Sequence, residues 1–189
     1  MTVYISGMRT SSLLILLPLL LFQTACGLLI GNVKPVSEKS ESYRIMDLSR
    51  ESAEWERIED TQGPTEEDEP LAIPDVAYQS KVTASIISLN SGCRPSMEAS
   101  EQSLKNFTEQ LFLGVGKITS REEREIVAGG APALETTISG RLNDESVKLR
   151  TVVLRADRCL YDLTYVARPE QFEKDEKLFS QFVASLRLR

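Results

Sequence analysis

The sequence predicts an α+β fold, in which an antiparallel β-sheet of about six or more strands carries helices packed against it. Four β-type segments in the second half of the chain are separated by two-residue turn signals, which is the pattern of a β-meander. Apolar residues recur at helical spacing on either side of this meander. Strand patterns also precede the first helix, so the order is strands, helix, meander, helix. That order favours a sheet with helices packed on it.

The strands before the first helix are predicted from alternating or continuous apolar runs over residues 43–48, 55–59, 76–78 and 82–89. The last of these runs has apolar side chains on both faces, so it is expected to be covered on both sides. Asn90-Ser91-Gly92 is a turn signal that ends this strand. Cys93 is therefore expected just past the end of the strand.

Ser100 is a candidate N-cap for the first helix. Its apolar stripe consists of Leu104, Phe107, Leu111 and Phe112. Because the glycines that follow disfavour a continued helix, we expect the helix to end near Gly114. The stripe is interpreted as core packing.

The meander strands are predicted over residues 117–127, 133–141, 147–156 and 159–167. Their hairpin turns are Gly129-Gly130, Asn143-Asp144 and Asp157-Arg158. Pro169 opens the last helix. The apolar stripe of that helix is formed by Phe172, Phe179, Phe182, Val183 and Leu186.

The chain divides into three parts: residues 1–25, a signal peptide; residues 26–42, a lipidated Cys and flexible linker; and residues 43–189, a single α+β domain. The linker prediction depends on a loss of apolar periodicity and an abundance of Ser, Glu and Lys. Residues 43–189 suit one domain with one core.

Cys26 follows the apolar run of residues 13–22, with Arg9 before that run and Thr24-Ala25 directly before the Cys. This pattern has the charged, apolar and small-residue regions of a secretory signal peptide. It resembles the lipobox of bacterial lipoproteins, although Gln23 stands where Leu is usual. The resemblance implies a lipid on the sulfur of Cys26 and a membrane anchor facing the periplasm. An uncleaved transmembrane helix over residues 13–30 and a plain secreted product are the alternatives.

Gly27 follows Cys26, in place of the Asp that retains some bacterial lipoproteins at the inner membrane. An outer-membrane location is therefore favoured over the inner membrane. With Cys26 lipidated, Cys93 and Cys159 remain as an even pair in an oxidising compartment. Both stand beside turn signals at strand ends, which favours a disulfide between them. Two buried thiols that act as small apolar side chains are the alternative.

The chain has 28 acidic and 22 basic residues, a formal net charge of −6 and no histidine. An acidic domain repels phosphate backbones, so we expect no nucleic-acid partner. The absence of histidine removes Ser-His and Cys-His pairs and His-based zinc sites. No cofactor, metal site or catalytic residue is predicted, and we expect the protein not to be an enzyme.

Three segments point to a known family: Gly129 to Ala133 between two strands, residues 160–167 with their Tyr-x-Leu pattern, and the closing helix from Phe172 to Leu186. Together they resemble the PsbP/DcrB-like superfamily, which includes Mog proteins and many bacterial lipoproteins. Leu186 stands where that family usually has Phe. The resemblance covers residues 43–189 in the order of their elements. It implies an antiparallel sheet sandwiched by helices and a non-catalytic, accessory role.

The leading functional hypothesis is a membrane-anchored periplasmic lipoprotein that docks an unidentified envelope protein. The first alternative is a carrier that holds a small apolar ligand between sheet and helix. Its possible lining is Phe107, Phe112, Tyr165 and Phe172, all of which also suit a plain core. An enzyme of unknown class is the second alternative.

Overall fold

The computed structural model of the 189-residue protein describes residues 42–58, 74–93 and 104–189. The elements in these ranges are β1 (Tyr43–Arg44), α1 (Leu48–Glu51), β2 (Trp55–Arg57), β3 (Val76–Ser80), β4 (Ile86–Cys93), α2 (Leu104–Leu111), β5 (Ser120–Ala128), β6 (Ala131–Leu142), β7 (Glu145–Ala156), β8 (Cys159–Ala167), α3 (Pro169–Ala184) and β9 (Arg187–Leu188).

Seven strands form one antiparallel sheet in the order β2-β3-β4-β8-β7-β6-β5. Helices α2 and α3 pack against it, so the predicted α+β class with helices on an antiparallel sheet is confirmed. A second, two-stranded sheet pairs β1 with β9. The strand order brings β4 beside β8, a pairing that no local turn signal could reveal.

The meander β5 to β8 is formed as predicted, with the three expected turns between its strands. The turn between β5 and β6 consists of Gly129 and Gly130, whose φ angles are 59° and 86°. Asn143, Asp144 and Asp157 also have positive φ, and they occupy the other two turns. In the first two turns both central residues have positive φ, which is the geometry of a type I′ hairpin turn and matches the twist of the flanking strands.

The predicted strand over residues 43–48 is wrong beyond Arg44. The chain leaves β1 after two residues and forms the one-turn helix α1. Asp47 caps this helix, because its Oδ1 accepts hydrogen bonds from the backbone N of Ser49 at 3.1 Å and from the Ser49 hydroxyl at 2.6 Å. Leu48, which the predicted strand included, is instead the first residue of α1 and is fully buried in the core.

The predicted strand over residues 82–89 starts too early, since β4 begins at Ile86 and continues to Cys93. Residues 81–85 form a turn in which the Ala84 N–H donates to the Ser80 carbonyl at 2.9 Å. The Ser80 hydroxyl also accepts from the Thr83 N–H at 3.1 Å, and Ala84 adopts a φ of 57°. These bonds compete with a strand ladder, which is the usual effect of Ser in turns.

The main core lies on the face of the sheet that α3 covers, hereafter the α3 face. Its fully or nearly fully buried side chains include Tyr78, Ile87, Leu89, Leu154, Tyr161, Leu163, Tyr165, Phe172, Phe179, Phe182 and Leu186. The predicted stripe of the last helix is thus the part of α3 that is buried. Burying one Phe of this kind stabilises the fold by about 2 to 3 kcal/mol.

A smaller cluster lies on the opposite face, hereafter the α2 face. Phe112, which follows α2, packs there with Ile138, Val147 and Leu149 of β6 and β7. The predicted helical stripe is confirmed for Leu111 and Phe112, which join this cluster. The predicted cap at Ser100 lies outside the described residues.

Candidate functional site

The predicted site residues fall into two groups. Cys26 lies outside the described residues. Cys93 and Cys159 are directly paired residues at the ends of β4 and β8, and a disulfide bond joins them with an Sγ–Sγ distance of 2.02 Å. Cys159 is buried and Cys93 is exposed, so the bond closes the end of the strand ladder near the protein surface.

The lining predicted for an apolar-ligand carrier does not form a cavity in the part of the chain that the structure describes. Tyr165 and Phe172 pack ring to ring with centroids 4.8 Å apart, and the Tyr165 hydroxyl donates to the Phe172 carbonyl at 2.8 Å. The ring of Phe179 stacks on Tyr165 at 5.6 Å. The space between α3 and the sheet is therefore filled by these rings.

A groove of about 730 Å³ opens instead on the α2 face, between the start of α2 and the strands β5 and β6. Its apolar surface includes Leu104 of α2, Val127 of β5, and Pro132 and Leu134 of β6. Val127 is 74% exposed, although its neighbour Ala128 is buried. The groove therefore presents apolar surface to the outside of the protein.

Charged side chains border this groove and hold α2 in place. Arg121 donates two hydrogen bonds to the carboxylate of Glu109 on α2, at 2.6 and 3.0 Å, and its Nε donates to Glu123 at 2.9 Å. Lys105 lies 3.8 Å from Glu123, measured from Nζ to Oε2. The bidentate contact raises the pKa of Arg121 and lowers the pKa of Glu109. Glu125 also lines the groove, and no described residue makes an ion pair with it.

Strand β5 forms the long outer edge of the sheet, since β6 is its partner on one side and no described strand pairs with the other side. Residues 121–125 of this strand are all charged. The charged run was interpreted from the sequence as an exposed strand, and residues 122–125 are indeed exposed. Charges on an edge strand disfavour pairing with any strand that places like charges opposite them.

A second polar site lies on the α3 face, where Glu135 of β6 and Arg150 of β7 are both buried. Arg150 Nη2 donates to Glu135 at 2.5 Å, while its Nη1 donates to Glu176 at 3.2 Å and to Ser180 at 3.1 Å. Arg124 donates to the other oxygen of Glu135, which raises the pKa of Arg124. The pocket beside this network has a volume of about 210 Å³. Each charged side chain of this network has an opposite charge nearby, which is typical of a structural ion-pair network.

A third polar cluster is centred on Asp75, whose carboxylate is fully buried and accepts a hydrogen bond from the Ser91 hydroxyl. Tyr43 also makes a hydrogen bond to Asp75, and burial together with this carboxylate raises the pKa of Tyr43. Burial and the charge of Asp47 raise the pKa of Tyr78 to about 12. These phenols therefore stay protonated at physiological pH.

The described residues contain no group of three or more His, Cys, Asp or Glu that could hold a metal ion. No helix within residues 42–58, 74–93 and 104–189 is long and apolar enough to cross a membrane. Sequence reasoning missed the groove, because it treated Val127 and Leu134 only as strand residues. The available signal was Pro132, an apolar residue at the start of a strand that has no backbone N–H for the ladder.

Comparison with solved structures finds several proteins of similar architecture. LpqN of Mycobacterium tuberculosis, which is involved in cell envelope biogenesis, superposes with a TM-score of 0.51 at 10% identity, over 80% of this chain and 85% of that one. The cyanobacterial PsbP protein CyanoP of Synechocystis gives a TM-score of 0.49 at 11% identity, over 80% and 90% of the two chains. PA94 of Pseudomonas aeruginosa, a putative regulator of unknown function, gives 0.45 at 14% identity, over 82% and 89%.

The likeness to LpqN shows a shared fold and says nothing of activity at this level of identity. No protein-family model matches the chain, and no curated protein sequence matches it.

Proposed function

We propose that the protein is a membrane-anchored periplasmic lipoprotein with a non-catalytic, protein-interaction role, held by a lipid on Cys26. The disulfide between Cys93 and Cys159 supports an oxidising compartment, because such bonds are rare in the cytosol. The signal-peptide pattern before Cys26 supports export and anchoring. The fold shared with LpqN, a protein involved in cell envelope biogenesis, fits the same location.

The anchor is tested with a Cys26→Ser variant, followed by membrane fractionation and labelling with a radioactive fatty acid. We expect the variant to lose the label and to leave the membrane fraction. If the wild type carries no label and the variant stays in the membrane, an uncleaved helix is the anchor.

The groove between α2 and the β5–β6 hairpin is the observation that carries the interaction role. Its apolar surface is open to the outside, and Val127 is exposed beside it. Glu125 lines the groove without an ion pair to any described residue, whereas Glu123 is paired with Arg121 and Lys105. A partner segment with an apolar side chain flanked by Lys or Arg would complement both features.

Site-specific photo-crosslinking in intact cells tests this docking. A photoreactive amino acid at position 127 lies at the groove, and one at position 145 lies exposed at the far end of the sheet, where Glu145 pairs with Leu142. We expect one dominant envelope protein to crosslink from position 127 and not from position 145. A Leu134→Glu substitution, which places a charge in the groove, should abolish that crosslink. Equal crosslinks from both positions would contradict docking at the groove.

A carrier of a small apolar ligand remains the second candidate, now at the groove rather than beside α3. Its volume of about 730 Å³ is in the range of small-molecule sites. Native mass spectrometry of protein purified from membranes distinguishes the two. A carrier retains a lipid-sized mass that Leu134→Glu removes, whereas a docking groove is free of such a ligand and crosslinks to a protein.

A further inference from the structure

No described strand pairs with the outer edge of β5, and the backbone groups that face this edge follow from the hairpin geometry. In a two-residue hairpin the residues next to the turn exchange hydrogen bonds, and hydrogen-bonded pairs alternate along the strands from there. Ala128 pairs with Ala131 across the turn, so the N–H and C=O groups of Ala128, Ile126 and Arg124 point toward β6. Those of Val127, Glu125, Glu123 and Arg121 therefore point to the open edge.

The order of charges along β5 is complementary to itself. When two copies of β5 lie antiparallel with the two-fold axis beside Glu123, Arg121 of each copy faces Glu125 of the other, and Glu122 faces Arg124. Each of these opposite-charge pairs occurs twice by symmetry, and Glu123 facing itself is the one like-charge pair. Residues with outward backbone groups also face each other in this register, as a strand ladder requires.

Neighbouring registers are less favourable. An axis beside Arg124 makes Arg124 face itself and Glu123 face Glu125, so like charges meet throughout. With the axis beside Glu122, Glu122 faces itself, and the one kind of opposite-charge pair left is Arg121 of each copy with Glu123 of the other. Because opposite charges stabilise cross-strand pairs and like charges destabilise them, the sequence selects the axis at Glu123.

The selected register also uses groups that the single chain leaves unused. Glu122 and Glu125 make no ion pair with any described residue, and in the pair of copies they meet Arg124 and Arg121.

We propose that two copies of this chain associate through β5, in antiparallel register about Glu123, to form one continuous sheet across both molecules. This interface goes beyond the proposed docking function, since it uses the edge of the sheet rather than the groove. A two-fold axis perpendicular to the sheet leaves the grooves of both copies on the same face. The pairing is isologous, so it closes at two copies.

The test measures dimerisation of the full-length protein in detergent by sedimentation velocity over a concentration series. In a dimer of the Glu125→Arg variant, each new Arg faces Arg121 of the other copy. In a dimer of the Arg121→Glu variant, each new Glu faces Glu125 of the other copy. Each variant alone should weaken the dimer by at least about tenfold. An equimolar mixture of the two should recover the dimer, because every pair between positions 121 and 125 is then of opposite charge. Glu145→Arg makes the same charge change away from β5 and should have no effect.

Arg121→Glu also removes contacts to α2, so its folding is checked by thermal unfolding. Glu123→Gln leaves the contact between Arg121 and Glu109 in place and removes the like-charge pair on the axis, and it also removes the charge that pairs with Arg121 and Lys105. This variant should tighten the dimer by about twofold to fivefold. A wild type that stays monomeric, a Glu125→Arg variant that dimerises like the wild type, or a Glu123→Gln variant that weakens the dimer would each overturn the proposal. In this dimer position 127 also lies near the second copy, so the crosslink that supports docking at the groove is one to a different protein, whereas a crosslink to a second copy reports the dimer.

Discussion

The buried pair Glu135 and Arg150 allows a quantitative test of how this fold handles charge. Their side chains are 7% and 8% exposed, and Arg150 also passes within 5.5 Å of the ring centroid of Phe179. Replacing Glu135 with Leu leaves the Arg150 guanidinium buried with only Glu176, which is 43% exposed, and Ser180 as partners. Breaking a buried ion pair in this way costs about 3 to 5 kcal/mol of unfolding free energy. Arg150→Met should also destabilise the fold, but by less, because Arg124 still donates to the buried Glu135 carboxylate.

The double variant Glu135→Leu with Arg150→Met should be much less destabilised than the sum of the two. It removes both charges, and replacing a buried pair with apolar side chains of similar size is often neutral or stabilising. Arg124 is 64% exposed and returns to water when Glu135 is removed. We therefore expect the double variant to lie within about 1 kcal/mol of the wild type.

Urea unfolding followed by the fluorescence of Trp55 measures these changes. Trp55 is the single tryptophan and is 3% exposed, so its emission reports loss of the core. Glu109→Leu is the matched control, because its ion pair with Arg121 is at the surface and should cost less than about 1 kcal/mol. A double variant that loses as much as the two single variants together would refute the reasoning.

Two further predictions concern the disulfide and the tyrosines. The Cys93–Cys159 bond closes a separation of 66 residues, so replacing both with Ser should lower the unfolding free energy by about 4 kcal/mol, and a loss below about 1 kcal/mol in the same urea assay would contradict this. Burial is the first cause that raises the pKa values of Tyr43, Tyr78 and Tyr165 above the ordinary value near 10. Because the folded protein holds these protons more tightly, the contribution of these tyrosines to stability should be constant below about pH 10 and fall as pH rises toward the pKa of Tyr78, about 12. Absorbance at alkaline pH should show these phenols ionising only as the protein unfolds, and ionisation near pH 10 in the folded protein would be the contrary result.

The parts of the fold that local signals determine were predictable from the sequence. The three hairpin turns and the helix that starts at Pro169 follow from residues that favour positive φ or the first helical turn. Strand β8 has the predicted bounds because its neighbours are turn residues at one end and Pro169 near the other. Fold class followed from the order of these elements.

The parts that depend on distant contacts were not predictable. The turn before β4 is held by Thr83, whose hydroxyl lies 2.6 Å from Asp175 on α3, and no pattern near Thr83 indicates that contact. The groove depends on where α2 lies, and the bidentate bond between Arg121 and Glu109 sets that position across two elements. A sequence window that contains one of these residues carries no sign of its partner.

The intact mass of the protein purified from membranes, after free thiols are alkylated without reduction, tests export and anchoring together. We predict a chain that begins at Cys26, carries the mass of a diacylglyceryl group and takes up no alkylating agent, since Cys93 and Cys159 are bonded to each other. A chain that retains residues 1–25, or one with two alkylated cysteines, would contradict a lipid-anchored protein in an oxidising compartment.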